Sequence, residues 1–448
     1  MKCKRSSERR VSMSTVLALV GVWLIAGAAA QATASEKVIH DFTGPDGAQP
    51  IGELIADRSG NFFGVAQTNG TSSGACPATG ACGTVFELSP LPAGAWKRTV
   101  LHTFFCEKDG CDPLAGLVMD ASGALYGTTY MGGPSGGDNK GIVYRLSKTA
   151  AGKWKYKILY SFLGLPDGQH PRCRLTFDKA GNLYGTTESG GTFTAGTAFE
   201  LSPTASGFWL ETVIFDFAVN SRGALPKAGA VFDAAGNLYG TTGSGGNTGG
   251  ACGSLGCGVV YEITPSTNGP WIETVLHSFS GADGGTPYAG VTFDAAGNLL
   301  GSTYIGGDLS GCGGNGCGVI YKLSPSYGGV WTETLLHAFQ PGTSSFAGAG
   351  GGNPYSGPTE DAAGNLYGTA ATGGRGPGYF GVVYKLAPVS GGWKETVLHA
   401  FYGGTDGGEP LSGVTLDATG NLFGTTYLSG ILSDCLGNGC GVVYEITP

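Results

Sequence analysis

From about residue 36 onward the chain is a succession of short apolar runs. Each is cut off by glycine, proline, asparagine or aspartate, and none shows a sustained helical period. The stretch from Gly229 to Phe279 shows the pattern in full. It contains Gly229-Ala-Val-Phe-Asp233, Asn237-Leu-Tyr-Gly-Thr-Thr242, Gly258-Val-Val-Tyr-Glu-Ile-Thr-Pro265 and Trp271-Ile-Glu-Thr-Val-Leu-His-Ser-Phe279. Their lengths and their β-branched and aromatic content predict four strands, a to d, of a small antiparallel sheet. The Asp-x-x-Gly-Asn link between a and b predicts a hairpin turn: glycine takes a left-handed conformation, and the Asp and Asn side chains bond the local backbone. A calcium loop would need clustered oxygen ligands, which these turns lack.

This unit returns seven times, starting strand b's turn at Asp57, Asp120, Asp178, Asp233, Asp294, Asp361 and Asp417. The spacing runs from 55 residues (Asp178 to Asp233) to 67 (Asp294 to Asp361). A unit of that size cannot bury a core alone, so neighbouring copies must pack together. Four-stranded units in radial array make a β-propeller, and seven copies predict seven blades. The two ends of the chain predict how the ring closes. Glu36-Lys-Val-Ile-His-Asp-Phe42 matches strand d, although it precedes the first strand a, and the last copy stops after its strand c at Val443-Tyr-Glu-Ile-Thr-Pro448. The N-terminal strand is therefore expected to complete the last blade. The expected organisation is all-β and a single domain over 35–448, with a closing strand and connection over 35–49 and repeats over 50–448.

Composition sharpens this picture. Glycine accounts for 84 of 448 residues without a three-residue period, and 41% hydrophobic residues argue for a packed core over a fibre or a disordered chain. A net charge of −8 gives no basic surface for nucleic acid. Residues 1–34 read as a secretory signal peptide: a basic start, an apolar run from Val16 to Ala30 and small-residue cleavage sites. The mature chain has no further run long enough to span a membrane. A secreted protein, extracellular or periplasmic, and a monomer are expected. Ten cysteines fall in close pairs, Cys76/Cys82, Cys106/Cys111, Cys252/Cys257, Cys312/Cys317 and Cys435/Cys440, which an oxidising compartment would close as disulfides. Cys173 has no local partner.

Candidate chemistry is sparse. His40, His102, His277, His337 and His399 share one strand-d position, where Tyr160 and Phe215 stand in the other copies, so this column reads as packing. Trp96, Trp154, Trp209, Trp271, Trp331 and Trp393 all begin strand d and read as contacts between blades. No motif for nucleophilic catalysis, phosphate binding or a metal centre is present, and no catalytic residue or cofactor is assigned. Function is expected where the copies differ, on the face shared by the b–c loops and the d–a connections. The b–c loops vary in length and carry four of the cysteine pairs. The d–a connections carry Asp46, Asp109, Asp167, Asp283 and Asp406, each before glycine. These five are the candidate binding residues, as a carboxylate ring for a cation or sugar hydroxyls, with plain turn chemistry as the alternative.

The recurring Asp-Ala-Ala-Gly-Asn-Leu-Tyr-Gly-Thr-Thr, then Gly-Val-Val-Tyr-Glu and Trp-x-Glu-Thr-Val-Leu-His-x-Phe, resembles the bacterial GloVer tandem-repeat proteins, also called choice-of-anchor repeats. The resemblance covers nearly all of residues 36–448 and implies an exported bacterial protein, with no family activity to carry over. Members often end in an anchoring tail, whereas this chain ends inside a repeat, so free secretion is expected. Two functions are weighed, beside a third, purely structural role. One is a non-enzymatic module binding a glycan or protein through the disulfide-stapled loops; the other is a hydrolase or lyase acting on polysaccharide. Paired, solvent-reachable carboxylates at a suitable separation near the channel would favour the enzyme, and an apolar or tyrosine-lined rim would favour binding.

Overall fold

Seven four-stranded antiparallel sheets make up the fold of the computed structural model. It describes residues 34–448 other than 69–80, 135–138, 221, 249–251, 267–269, 341, 343–347, 375–377 and 434. In the fourth blade the strands are Val231–Phe232, Leu238–Thr242, Val259–Thr264 and Ile272–Ser278, in that spatial order. The expected a-to-d assignment therefore holds. Helix among the described residues is confined to Cys106–Asp109 and a few 3-10 turns. No described helix is long and apolar enough to cross a membrane. The expected signal segment lies outside the described residues.

The seventh blade is composite, as the ends of the chain predict. Strand d is Ser35–Asp41, paired antiparallel with Val442–Thr447 from Ser35 opposite Thr447 to Asp41 opposite Val442. Even the irregularity is copied. Val443 faces His40 and Tyr444 faces Val38, skipping Ile39, just as Val260 faces His277 and Tyr261 faces Val275 in blade four. Trp96 of blade one then packs edge-on to Phe423 of blade seven at 6.0 Å, joining the first blade to the last.

Each blade is held by the same few contacts. The turn aspartate works as the sequence implies: Asp233 Oδ1 accepts the Asn237 N–H at 2.9 Å, and Oδ2 accepts from Asn237 Nδ2 at 2.8 Å. Burial opposes the charge of this carboxyl, yet the Asn237 and Tyr239 bonds together hold it below the ordinary aspartate range. Inside the blade, the strand-c tyrosines Tyr144, Tyr261, Tyr321, Tyr384 and Tyr444 are fully buried. Their rings lie over the strand-b glycine, so that any side chain at Gly240 would collide with the Tyr261 hydroxyl. Between blades, the strand-d tryptophan meets the strand-b tyrosine of the blade before it. Tyr126 with Trp209, Tyr184 with Trp271 and Tyr239 with Trp331 lie 5.9–6.4 Å apart. The tryptophans are thus inter-blade packing.

Candidate functional site at the axial mouth

Strand a is entered in every blade through a proline: Pro50, Pro113, Pro171, Pro226, Pro287, Pro354 and Pro410. The residues just before them are Gln49, Asp112, His170, Leu225, Thr286, Asn353 and Glu409. All seven have left-handed backbone, with φ between 51° and 60°. The hydrogen bonds explain the conformation. Thr286 N–H bonds the Cys257 carbonyl of the preceding blade at 2.8 Å, while its own carbonyl accepts from Tyr304 N–H at 3.3 Å. Gln49 and Asn353 bond Cys440 and Cys317 in the same way, so three of the disulfides anchor the mouth directly. A left-handed L-residue costs about 1–2 kcal/mol relative to the usual region. In a chain with 84 glycines, none stands at these seven positions. Side chains are retained there against a conformational cost, and no two are alike.

Their neighbours make a polar, aromatic mouth around the propeller axis. The residue after each proline is Ile51, Leu114, Arg172, Lys227, Tyr288, Tyr355 or Leu411, and all seven line the axial cavity, about 940 Å3 in volume. Arg172 of blade three reaches across to blade six, donating from Nη2 to the Tyr355 hydroxyl at 2.5 Å, and from Nη1 to Glu188 at 3.4 Å. Burial works against the Arg172 charge, but Tyr355 and Glu188 together hold its pKa above the ordinary value. Lys227 stands 3.6 Å from the other Glu188 oxygen and 4.4 Å above the Tyr288 ring. Tyr288 stacks on Tyr355 with centroids 4.8 Å apart, and Tyr304 meets Tyr288 edge-on at 5.0 Å. Tyr130 stacks on His170 at 4.6 Å, and His170 Nδ1 shares a hydrogen bond with Ser189 Oγ at 2.8 Å.

The acidic side of the mouth comes from blades two and seven. Burial raises the carboxyl pKa values of Asp112 and Glu409, and both raise that of the Tyr427 phenol, itself already raised by burial. Below the rim a second bar crosses the axis. The corresponding strand-a position holds Gly116, Gly229, Gly290, Gly357 and Gly413 in five blades, but Glu53 and Arg174 in the other two. Arg174 Nη1 meets Glu53 Oε2 at 3.1 Å, and Ser356 Oγ donates to Glu53 Oε1 at 3.2 Å. The glycines leave the room that these long side chains fill.

The five aspartates singled out from the sequence lie elsewhere. Each is engaged within its own d–a turn and by its own strand d. Asp46, Asp109, Asp283 and Asp406 bond His40, His102, His277 and His399 at 3.0–3.2 Å, and Asp167 accepts from Tyr160 at 2.5 Å. Backbone N–H groups complete the turns, as with Ser280 to Asp283 at 2.7 Å. None of the five lines the axial cavity. The histidine column thus packs, as expected, and also ties the turn. In blade five a longer connection, Gln340 to Asn353, takes the place of this turn, partly outside the described residues. His337 Nε2 stands 3.7 Å from Glu395 with no hydrogen-bond partner among the described residues, and burial pushes its pKa down to about 4.

The disulfides Cys106–Cys111, Cys252–Cys257, Cys312–Cys317 and Cys435–Cys440 are formed. Cys82 is disulfide-bonded, and Cys76 lies outside the described residues. Cys173 is buried, with its thiol pushed up by burial to about 11. It replaces a small residue of strand a, accepting from Thr186 N–H as Ser412 accepts from Thr425 N–H. Reading the seven copies column by column, and not loop by loop, would have found the mouth: the two columns flanking the proline are among the most varied in the repeat.

No curated protein matches the chain. Among solved structures, it is similar to the periplasmic gluconolactonase of Pseudomonas aeruginosa, with 14% identity, a TM-score of 0.50, and 81% of this chain and 88% of that chain covered. It is also similar to a fungal alcohol oxidase solved with copper, with 14% identity, a TM-score of 0.51, and 93% and 77% covered. At such identity these likenesses concern the fold alone. The repeat model described as the Gloeobacter/Verrucomicrobia repeat matches residues 26–164 and 73–314. Together with the seven-bladed architecture, this match establishes that the chain belongs to the Gloeobacter/Verrucomicrobia repeat family.

Proposed function

We propose that this is an exported, non-enzymatic binding module that holds an acidic, polyhydroxylated ligand, a uronate-bearing glycan, at the mouth of its axial channel. The observation that carries the reading is the convergence of Tyr130, Tyr288, Tyr304, Tyr355 and Tyr427 around Arg172 and Lys227. Tyrosine rings offer flat apolar faces for sugar C–H surfaces and hydroxyls for sugar oxygens. Arg172 has the fork geometry for a carboxylate, and Lys227 adds a point charge. Arg172 and Lys227 share Glu188 on one side of the mouth, so positive charge gathers there, opposite the Asp112 and Glu409 side. Arg172, Lys227, Tyr288 and Tyr355 line the axial cavity of about 940 Å3, within the size range of small-ligand sites. The stapled loops support the rim from behind, consistent with export to an oxidising compartment.

The raised carboxyls of Asp112 and Glu409 favour one second reading, a hydrolase or lyase acting on the same class of acidic polysaccharide. An array of acidic and neutral glycans, run beside a polysaccharide degradation screen, separates the two. Retention of uronate glycans without cleavage supports binding; chain shortening supports the enzyme. Silence in both tests removes the carbohydrate reading.

A further inference from the structure

A second constellation lies away from the axis, between blades four and five. His277 Nε2 stands 3.2 Å from Asp283 Oδ2, and a Glu333 oxygen lies within 4.8 Å of both. His277 and Asp283 come from strand d and the following turn of blade four, and Glu333 from strand d of blade five. Asp283 is aimed by Ser280, whose N–H and hydroxyl both bond Oδ1, and the His277 ring is set edge-on against Phe279 at 4.8 Å. Glu333 Oε1 and the hydroxyl of the fully buried Tyr321 have no hydrogen-bond partners here; such pairs recur at other blade interfaces, as Tyr384 with Glu395, but among the described residues only this interface gathers three ligand atoms within 4.8 Å of one another.

The equivalent place between blades seven and one shows what such a position accommodates. There the Glu333 position is taken by Arg98, whose guanidinium meets Asp46 Oδ2 at 3.0 Å and the Asp46 carbonyl at 2.6 Å, beside His40. The chain supplies its own cation in that interface. Between blades four and five it supplies two carboxylates, an imidazole and a buried hydroxyl.

We infer that His277, Asp283 and Glu333 form a binding site for one divalent transition-metal ion of the zinc class, clamping blade four to blade five. One imidazole nitrogen and two carboxylates match the borderline preference of zinc, with a fourth position left for water. Calcium, which takes six to eight oxygens, fits poorly.

The test uses tag-free, chelator-treated protein titrated with zinc chloride by calorimetry, and with cobalt(II) by visible absorption. The wild type should take up one saturable equivalent of zinc, show a cobalt ligand-field band, and melt higher with zinc than with calcium. Glu333→Gln and His277→Gln should each weaken uptake by roughly tenfold or more, the loss that even an outer partner of a metal site can cause. Glu333→Arg, which copies Arg98, should abolish uptake while keeping the fold by circular dichroism. Absence of saturable zinc uptake by the wild type, or uptake left unchanged in these folded variants, overturns the assignment.

Discussion

Arg172 of the third blade donates a 2.5 Å hydrogen bond to the Tyr355 hydroxyl of the sixth, across the axis and across 183 positions of sequence. Neither residue has a counterpart of the same type in all seven copies; leucine or isoleucine fills the position three times. The pair sits where seven left-handed residues crowd the entrance of a channel and a glutamate–arginine bar closes its waist. A scaffold built only to stand would gain from repeating leucine and glycine there.

The closing strand should carry much of the stability. Removing residues 35–41 exposes the edge of Val442–Thr447 and uncovers one face of the seventh blade. Such a truncation should lower the melting temperature by several degrees, at about 1 °C for each kcal/mol lost from a domain of this size. Calorimetric melts of the truncated and full chains decide it; an unchanged melt contradicts the closure.

A second prediction concerns pH. Glu211 and Glu273 are pushed up by burial to about 8, and Glu333 and Glu395 to about 7. Their folded-state pKa values lie above the unfolded value near 4.5, so the folded chain holds these protons more tightly. Their stabilising contribution is complete below the unfolded value and is lost as pH rises through about 7 to 8. The turn aspartates act in the opposite sense: their pKa values are lowered in the fold, so their contribution fades as pH falls below the ordinary aspartate value. His337, lowered to about 4, also loses its contribution on the acid side, as pH falls from the ordinary histidine range. The metal-free protein should therefore melt higher at about pH 5.5 than at about pH 8.5, and Glu211→Gln with Glu273→Gln should flatten the slope. A melting temperature that rises over this interval contradicts the burial argument.

Backbone strain at the mouth is open to direct measurement. Thr286 is β-branched and has φ of 51°. Thr286→Gly should leave stability unchanged or raise it by up to about 1 kcal/mol, because relief of the left-handed conformation outweighs the added freedom of the unfolded chain. Denaturant midpoints measure this. A clear loss of stability means that the side chain holds the fold and is not retained for the mouth.

Much of the fold was legible because each blade repeats the same environment. Asp233 needs its turn, Gly240 must clear Tyr261, and Trp271 must reach Tyr184, so the same letters return at fixed spacing. The strand-d likeness of residues 36–42 was enough to place the closure. The mouth was hidden for the opposite reason. It takes single residues from several blades, and they meet only when the ring closes, as Arg172 and Tyr355 do. Left-handed backbone is usually betrayed by glycine, asparagine, aspartate or histidine, but Gln49, Leu225, Thr286 and Glu409 give no such signal. The Asp-Gly steps at Asp46 or Asp283 drew attention instead, and they serve the turns and the histidines of strand d.

The most direct test of the account is calorimetric binding of uronate oligosaccharides and their neutral counterparts to the wild type, Arg172→Ala and Tyr355→Phe. The account predicts binding of the acidic sugars over the neutral ones by the wild type. It predicts a loss of roughly tenfold to a hundredfold in Arg172→Ala, the size of one charge-assisted hydrogen bond, and a smaller loss in Tyr355→Phe, with melting temperatures preserved. Equal binding of acidic and neutral sugars, or binding untouched by Arg172→Ala, contradicts it.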